Sequence, residues 1–199
     1  KIVVVGGGIV GASIAYHLGK VGIGNTVLLE RKQLTSGTTW HAAGLVGQLR
    51  ASRNLTELAK YTATLFEGLE TETGQATGFK QNGSISIALT EGRFEELKRG
   101  ASMAKSFGLA VDVITTSQIK ERVPHYNMEN VVGGVFLPKD GQVNPIDVTQ
   151  ALAAGARSRG AKIFENSKVT RILTMDGAAV GVETTDGTIM ADTVVIAIG

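Results

Sequence analysis

The chain has no cysteine among its 199 residues, which excludes disulfides, a thiolate metal site and a cysteine nucleophile. This composition is typical of proteins from reducing compartments. Aromatic residues make up only 5%, and no long block of like charge interrupts the near balance of 20 basic and 18 acidic residues. Both features argue against a nucleic-acid-binding surface. No apolar run approaches the roughly 18 residues that a membrane-spanning helix requires.

A glycine-rich segment follows the first apolar run of the chain. Residues 2–5 are β-branched throughout, which is typical of a parallel strand buried on both faces. The next residues fit the pattern G-x-G-x-x-G as Gly6, Gly8 and Gly11. In this pattern the glycines permit a tight turn, close approach of a pyrophosphate and close packing of the following helix. We expect the N–H groups of Ile9 and Val10 to lie at the helix N-terminus, which favours an anion.

An acidic residue ends the second predicted strand. Residues 25–29 form the second predicted strand, which leads into Glu30, and Glu30 lies 19 residues beyond Gly11. This is close to the spacing expected of a carboxylate that binds a ribose hydroxyl. A carboxylate would repel a 2′-phosphate and therefore argues against NADP, although the neighbouring Arg31 weakens that argument. Strand, glycine loop, helix, strand and acid together predict a dinucleotide-binding unit.

The remaining periodicity predicts an α/β fold with an insertion. The first helix, residues 9–21, is expected to bury Ile14, Leu18 and Val21. A second helix is predicted over residues 54–73, with Asn54 as its N-cap and Glu57 completing a capping box. A helix from Asn144 to about residue 159, a three-stranded meander over residues 169–191 and an apolar strand over residues 194–198 follow further along.

The predicted domains follow from this order of elements. Residues 1–78 and 142–199 are expected to form a discontinuous, Rossmann-like dinucleotide-binding domain. Residues 79–141 are expected to form part of an inserted α+β domain of antiparallel character, which would bind substrate. Because the chain stops directly after a buried strand, we expect it to be a piece of a longer protein that lacks its C-terminal portion.

A loop of small residues around a histidine is the second informative segment. Residues 33–50 have neither helical nor strand periodicity, and such long loops are often functional. His41 follows Trp40, and one interpretation is a histidine that simply packs beside the tryptophan. Two features favour a functional role. The loop starts at the C-terminal edge of the sheet, where ligands bind, and its glycines and alanines let the backbone approach a planar ring.

These motifs resemble those of the FAD-dependent amine oxidoreductases of the D-amino-acid oxidase superfamily, and especially the sarcosine and dimethylglycine dehydrogenases. The resemblance covers essentially the whole chain. The segments that carry it are residues 3–11, 28–31, 34–45, 81–83, 140–141 and 151–160. Residues 34–45 and 48–50 favour the sarcosine branch. The block Leu34–Leu45 is the most specific of these segments.

The resemblance implies an FAD site with a covalent link. In the family, the histidine of the Trp-His pair carries FAD through its 8α carbon, and it corresponds to His41. A neutral imidazole can act as the nucleophile for such a bond. The cofactor-binding residues expected from the motifs and the resemblance are Gly6, Gly8, Ile9, Val10, Gly11, Glu30, Arg31, Gly37, Thr38, Thr39, Trp40, His41, Ala42, Ala43, Gly44, Leu45, Val169 and Gly199. No metal site is expected.

The implied reaction is oxidative demethylation of an N-methylated glycine, with hydride transfer to flavin N5. The imine product would be hydrolysed or would pass its one-carbon unit to tetrahydrofolate, bound in a domain outside this chain. Electron-transfer flavoprotein or oxygen would accept the electrons, in the bacterial cytoplasm or the mitochondrial matrix. A substrate carboxylate normally needs a cation, and the candidates are Arg50, Arg53, Arg93 and Arg122. No acid or base is assigned.

Two alternatives remain open at this point. The glycine loop and Glu30 would also suit an NAD-dependent Rossmann dehydrogenase, although the histidine block does not support that interpretation. The same flavoprotein scaffold also occurs in a non-catalytic regulatory protein, the regulatory subunit of pyruvate dehydrogenase phosphatase.

Overall fold

The computed structural model describes residues 1–199 and contains twelve strands, five α-helices and a 3-10 turn at Thr39–His41. In chain order the strands are β1 (Ile2–Val5), β2 (Thr26–Leu29), β3 (Leu45–Val46), β4 (Ser84–Ala88), β5 (Asp112–Ile114), β6 (Gly133–Leu137), β7 (Gly141–Gln142), β8 (Lys162–Phe164), β9 (Val169–Met175), β10 (Ala178–Thr184), β11 (Gly187–Met190) and β12 (Thr193–Ile196). The helices are α1 (Ile9–Lys20), α2 (Arg53–Thr73), α3 (Glu91–Ser106), α4 (Thr116–Arg122) and α5 (Pro145–Ser158). Not one of the helices has the length and apolar character needed for a membrane span.

The chain divides into two compact units. The first comprises Lys1–Gly44, Phe66–Gly78 and Val143–Gly199, and the second comprises Leu45–Leu65 and Phe79–Gln142. The structure is therefore an α/β fold with a parallel sheet in the first unit, as the sequence predicted.

The division differs from the predicted boundaries at Gln142 and in residues 45–65, which belong to the second unit rather than the first. The reason is pairing over long sequence distance. Strand β3 pairs antiparallel with β7, with Leu45 opposite Gln142. Near the start of α2, the Arg53 guanidinium donates to the carbonyl oxygen of Ser106 at 2.8 Å. The hydrophobic pattern within a segment does not indicate which distant segment it pairs with. The assignment of substrate binding to the second unit stays a prediction.

The first unit is built on a four-stranded parallel sheet in the order β12-β1-β2-β8. All four residues of β2 are buried, as expected for a parallel strand with both faces covered. One face is covered by the antiparallel meander β9-β10-β11. The apolar cluster between these layers contains Val3, Val27, Leu29, Val182 and Ala191.

Helix α1 buries a different stripe from the predicted one. The prediction named Ile14, Leu18 and Val21, but Val21 is 72% exposed. The buried hydrophobic residues of the helix are instead Ala12, Ala15 and Tyr16. Helix α1 packs closely against α5, which favours the small side chains of Ala12 and Ala15 at the contact. A Cβ at Gly155 of α5 would lie only 2.8 Å from the Tyr16 ring.

The second unit contains a three-stranded antiparallel sheet, β4-β6-β5. A buried carboxylate supports this unit: Asp140 accepts from the Gln48 N–H at 2.8 Å and from the Ser84 hydroxyl at 2.6 Å. Burial of a carboxylate is tolerated because both oxygens have donors.

The predicted capping box of α2 is wrong. The helix begins at Arg53, one residue before the predicted cap Asn54. The Ser52 hydroxyl accepts from the Leu55 N–H at 3.4 Å, and Glu57 pairs with Lys60 at 3.0 Å. Serine and asparagine are comparable N-caps, so local sequence could not decide between the two positions.

A charged network joins three helices of the first unit. Glu72 accepts hydrogen bonds from the buried Tyr16 hydroxyl at 2.8 and 2.9 Å and forms an ion pair with Arg159 at 2.6 Å. Burial alone would raise the pKa of Glu72, but these donors, together with the charges of Arg159 and Lys20, lower the pKa below its ordinary value of 4.5. Ionised Glu72 therefore stabilises the folded state.

We predict that Glu72→Gln lowers the free energy of unfolding by about 1 kcal/mol at pH 7, because the variant loses a charge-assisted interaction that is partly solvent-screened. The lowered pKa gives stability that is present above the ordinary pKa and is lost as pH falls through the folded-state pKa. The difference between wild type and variant should therefore shrink between pH 5 and the lowered pKa. Urea denaturation at several pH values measures this difference.

Glu67→Gln is the matched control, because Glu67 lies exposed on the same helix. The control should keep both the wild-type stability and the wild-type pH dependence. A constant difference between Glu72→Gln and wild type over this pH range would contradict the role given to Glu72.

Candidate functional site

A cleft of about 690 Å³ lies in the first unit, at the carboxyl ends of the parallel strands. Its walls are formed by residues 5–10, 29–32, 36–39, 167–169 and 196–199. The crevice outside the carboxyl ends of parallel strands is where ligands bind in open α/β sheets. The position and size of the cleft therefore suit an elongated ligand.

The glycines at the floor of the cleft are required by close packing. A Cβ at Gly6, where φ is +115°, would overlap the carbonyl oxygen of Ala197. A Cβ at Gly11 would overlap the carbonyl oxygen of Gly6. Gly7 is equally constrained, since its Cβ would lie 2.7 Å from the Glu30 Cβ. The sequence pattern missed Gly7 because it leaves that position free.

The Gly7 peptide is held from two sides. Its N–H donates to Glu30 Oε2 at 2.7 Å, and its carbonyl oxygen accepts from the Thr35 N–H at 3.0 Å. Glu30 Oε1 also accepts from the Lys32 N–H at 2.9 Å. Each carboxylate oxygen retains a further acceptor site, so Glu30 can hold the loop and still accept a hydroxyl.

The N-terminus of α1 opens onto the cleft. Its N-cap is Gly8, which has no capping side chain, and its first turn has no acidic residue. The Ile9 N–H donates to the Thr39 hydroxyl at 3.0 Å, and Val10 lines the cleft. First-turn N–H groups and the helix dipole favour an anion at this point. The absence of a side chain at Gly8 leaves the backbone accessible, so the residues present fit the pyrophosphate of a dinucleotide.

The histidine loop enters the cleft and then leaves it. Thr38 and Thr39 line the wall, but Trp40 and His41 are exposed beyond it. The Trp40 and His41 rings are stacked with centroids 3.8 Å apart and planes inclined by 35°. The His41 N–H donates to the carbonyl oxygen of Thr38 at 3.2 Å. The imidazole is therefore both exposed and supported by a neighbouring ring.

The structure brings together most of the sequence-predicted site residues. Those that line the cleft are Gly6, Gly8, Ile9, Val10, Glu30, Arg31, Gly37, Thr38, Thr39, Val169 and Gly199. The others do not line it: they are Gly11, Trp40, His41, Ala42, Ala43, Gly44 and Leu45. Gly11 acts through packing against Gly6, and Leu45 lies in the second unit.

Gly44 has a structural reason for being glycine. Its φ is +74°, and a Cβ there would overlap the carbonyl oxygen of Val143. The Gly44 carbonyl oxygen in turn accepts from the Val143 N–H at 2.8 Å. The geometry at Gly44 is therefore explained by contact with another chain segment.

Sequence reasoning missed several lining residues besides Gly7, including Lys32, Ser36, Ser167 and Lys168. Residues 167–168 join the cleft because the Ser167 N–H donates to the Glu30 carbonyl oxygen at 2.9 Å. No short motif marks such residues, since a contact across 137 positions depends on the register of the sheet. The nearest residue that the sequence placed in the site was Val169, the predicted start of the meander.

The four candidate arginines differ in their engagement within the second unit. Three have definite partners for the guanidinium: Arg53 contacts the Ser106 carbonyl, Arg93 the Glu96 carboxylate and Arg122 the Gln118 carbonyl. The Arg50 guanidinium makes only a 3.4 Å hydrogen bond to the Leu49 carbonyl.

The chain has no group of three or more His, Asp or Glu side chains arranged to hold a metal ion.

The chain is similar in sequence to enzymes that act on N-methyl amines. It is 43% identical to 4-methylaminobutanoate oxidase (formaldehyde-forming) of Paenarthrobacter nicotinovorans over 100% of this chain and 24% of that protein. It is 41% identical to the mitochondrial sarcosine dehydrogenase of Mus musculus, over 98% of this chain and 22% of that protein. It is also 41% identical to the mitochondrial dimethylglycine dehydrogenase of Homo sapiens, over 100% of this chain and 23% of that protein. The chain thus spans about a quarter of the length of these relatives.

One similar protein carries a regulatory name. The mitochondrial pyruvate dehydrogenase phosphatase regulatory subunit of Mus musculus is 38% identical over 95% of this chain and 22% of that protein.

Solved structures support the same relationship. L-proline dehydrogenase from P. horikoshii has a TM-score of 0.93 and 30% identity, over 99% of this chain and 52% of that one. Glycine oxidase from Bacillus cereus has a TM-score of 0.87 and 30% identity, over 100% of this chain and 55% of that one. The sequence model of the DAO family, described as FAD dependent oxidoreductase, matches residues 1–199. The chain belongs to this family of FAD dependent oxidoreductases.

Proposed function

We propose that this chain is the FAD-holding part of an enzyme that oxidises the N-methyl group of a small amino acid, with sarcosine and dimethylglycine as the leading substrates. The observation that carries the proposal is the convergence of the glycine loop, Glu30 and Thr39 on one cleft. Thr39 is also the first residue of the turn that carries His41. The names of the relatives support the substrate class. The 4-methylaminobutanoate oxidase widens this class to N-methylamino acids with a longer carbon chain.

The backbone of the glycine loop binds the pyrophosphate in this proposal. The Ile9 N–H is bonded to the Thr39 hydroxyl, so the donors are the N–H groups of Val10 and Gly11, together with the positive end of the helix dipole. Glu30 accepts a ribose hydroxyl while its contact with the Gly7 N–H holds the loop in place. Val169 lies against the adenine. Bound FAD supplies the hydride acceptor, and the protein supplies orientation and electrostatics.

His41 is the proposed point of covalent attachment to the 8α carbon of the flavin. Its imidazole is exposed and stacked on Trp40, so it is accessible while its orientation is restricted. A neutral imidazole nitrogen is the nucleophile that this bond requires. The C–N bond would replace one 8α C–H bond, with release of the proton and transfer of two electrons through the flavin to its electron acceptor. The link would prevent loss of the cofactor during turnover and raise the flavin potential, which favours acceptance of hydride from an amine.

The whole protein would use groups outside this chain. Tetrahydrofolate as acceptor of the one-carbon unit, and electron-transfer flavoprotein or oxygen as acceptor of the electrons, are part of the proposal. A mitochondrial matrix location, or the cytoplasm in a bacterium, follows from the same proposal.

A non-catalytic regulatory role is the second candidate, because one relative at 38% identity is a regulatory subunit. The two functions differ in whether bound flavin reacts with an amine. An NAD-dependent dehydrogenase is a weaker alternative, since family membership assigns FAD as the cofactor.

We expect anaerobic addition of an N-methyl amino acid to bleach the flavin absorbance of the FAD-loaded full-length protein. Sarcosine, dimethylglycine and 4-methylaminobutanoate should be compared by stopped-flow spectroscopy, because the names of the relatives give these compounds as their substrates. Glycine, which lacks the N-methyl group and is named in the related glycine oxidase, shows whether that group is required. Equal bleaching with glycine would contradict oxidation of the N-methyl group. Absence of bleaching with all three amines would favour the regulatory function.

We predict that His41→Ala abolishes acid-stable flavin but retains noncovalent FAD, because the phosphate loop makes separate contacts with the dinucleotide. Acid precipitation, which leaves covalent flavin in the pellet, distinguishes the two states. Mass spectrometry of the wild-type peptide containing His41 should show the added flavin mass. An unmodified His41 in flavin-replete wild type would rule out the covalent link. His17→Ala is the matched control, since His17 lies on α1 outside the cleft lining.

We expect Glu30→Gln to weaken noncovalent FAD binding by about tenfold, because it removes a charged acceptor for a hydroxyl and for the Gly7 N–H. The measurement is a fluorescence titration with FAD in the His41→Ala background. Glu129→Gln, at an exposed position in the second unit, should bind FAD as the background does. Equal affinity in all three proteins would contradict the role of Glu30.

A further inference from the structure

We propose that Thr39 is a positioning residue that ties the histidine turn to the phosphate loop, so that one hydroxyl governs both pyrophosphate binding and the placement of the His41 imidazole. The effects on pyrophosphate binding and on the His41 adduct rest on the proposed function. The anchoring of the turn by the Thr39 hydroxyl does not depend on bound flavin.

The N-terminus of α1 depends on a cap from a distant segment. Gly8 occupies the N-cap position and contributes no side chain. The Ile9 N–H is instead bonded to the Thr39 hydroxyl, 30 residues further along the chain, at 3.0 Å. Thr39 is only 6% exposed, so solvent competes little for this bond. A Cβ at Gly8 would lie 3.0 Å from the same hydroxyl.

The same residue begins the turn that carries the histidine. Thr39 is the first residue of the 3-10 turn, and its carbonyl oxygen accepts from the Ala42 N–H at 3.1 Å. Trp40, the next residue, is 55% exposed and stacks on His41. Since Thr38 makes no capping hydrogen bond with its side chain, the buried Thr39 side chain is the anchor of this turn.

The hydroxyl of Thr39 has a free proton for an anion. A threonine hydroxyl has one donor hydrogen and two acceptor lone pairs. One lone pair receives the Ile9 N–H, and this is the one hydrogen bond that the structure gives the hydroxyl. Thr39 also lines the cleft. A phosphate oxygen at the α1 N-terminus would accept this proton, which would couple the occupied anion site to the histidine turn.

The test compares Thr39→Val, which keeps the shape but removes the hydroxyl, with Thr39→Ser, which keeps the hydroxyl. Thr62→Val is the matched control, because the Thr62 hydroxyl bonds only to the Leu58 carbonyl within α2. The first measurement is hydrogen–deuterium exchange of the full-length protein at the Ile9 amide and over residues 38–45. Thr39→Val should raise these exchange rates about fivefold, the effect of losing a helix cap. Thr39→Ser and Thr62→Val should keep wild-type exchange.

The second measurement is the rate at which the His41 adduct forms at saturating FAD. Thr39→Val should slow this rate about tenfold, as for the loss of a hydrogen bond to a charged group, and Thr39→Ser should restore it. Wild-type exchange in Thr39→Val, or failure of serine to rescue, would overturn the inference. If wild-type His41 forms no adduct, covalent attachment is refuted, and the exchange measurement still decides whether Thr39 anchors the turn.

Discussion

The close packing of the glycine loop against its neighbours is the constraint on which the candidate site depends. Strand β1 lies between β2 and β12 in parallel register, so the residues that follow the three strands meet at one edge. There is no room for a side chain at Gly6 beside Ala197, or at Gly7 beside Glu30. Because these glycines have no side chains, the backbone itself forms the floor of the cleft, where its N–H groups can meet a phosphate.

Polar contacts also hold the loop in place. The Gly7 peptide is bonded on one side to Glu30 and on the other to Thr35. Thr35 is a β-branched residue with φ of +71°, a strained conformation that costs on the order of 1–3 kcal/mol. The surrounding hydrogen bonds offset this cost. Preorganisation of this kind suits a site that must bind a dinucleotide without rearranging.

Much of the fold was predictable because its signals are local. Unbroken apolar runs predicted the parallel strands β1 and β12, and Asp-Gly pairs predicted the turns of the meander, whose Asp176 and Gly177 both have positive φ. The buried face of α1 was not predictable, since Ala12 and Ala15 face inward only because α5 approaches closely. Likewise, the membership of residues 45–65 in the second unit depends on the β3–β7 pairing.

By itself the sequence determined the class of ligand site. The spacing of Gly6, Gly8 and Gly11 allows a tight turn and close approach of a pyrophosphate, and Glu30 offers an acceptor for a ribose hydroxyl. These properties follow from the residue types. The block around His41 likewise indicated the family. Only the tertiary structure decided that Glu30 bonds to Gly7, that Thr39 caps the N-terminus of α1, and that Lys168 lines the cleft. The Glu30–Gly7 contact joins residues 23 apart, and the Ser167–Glu30 contact that brings Lys168 to the cleft joins residues more than 100 apart. The register of the parallel sheet, rather than any local pattern, brings such segments together.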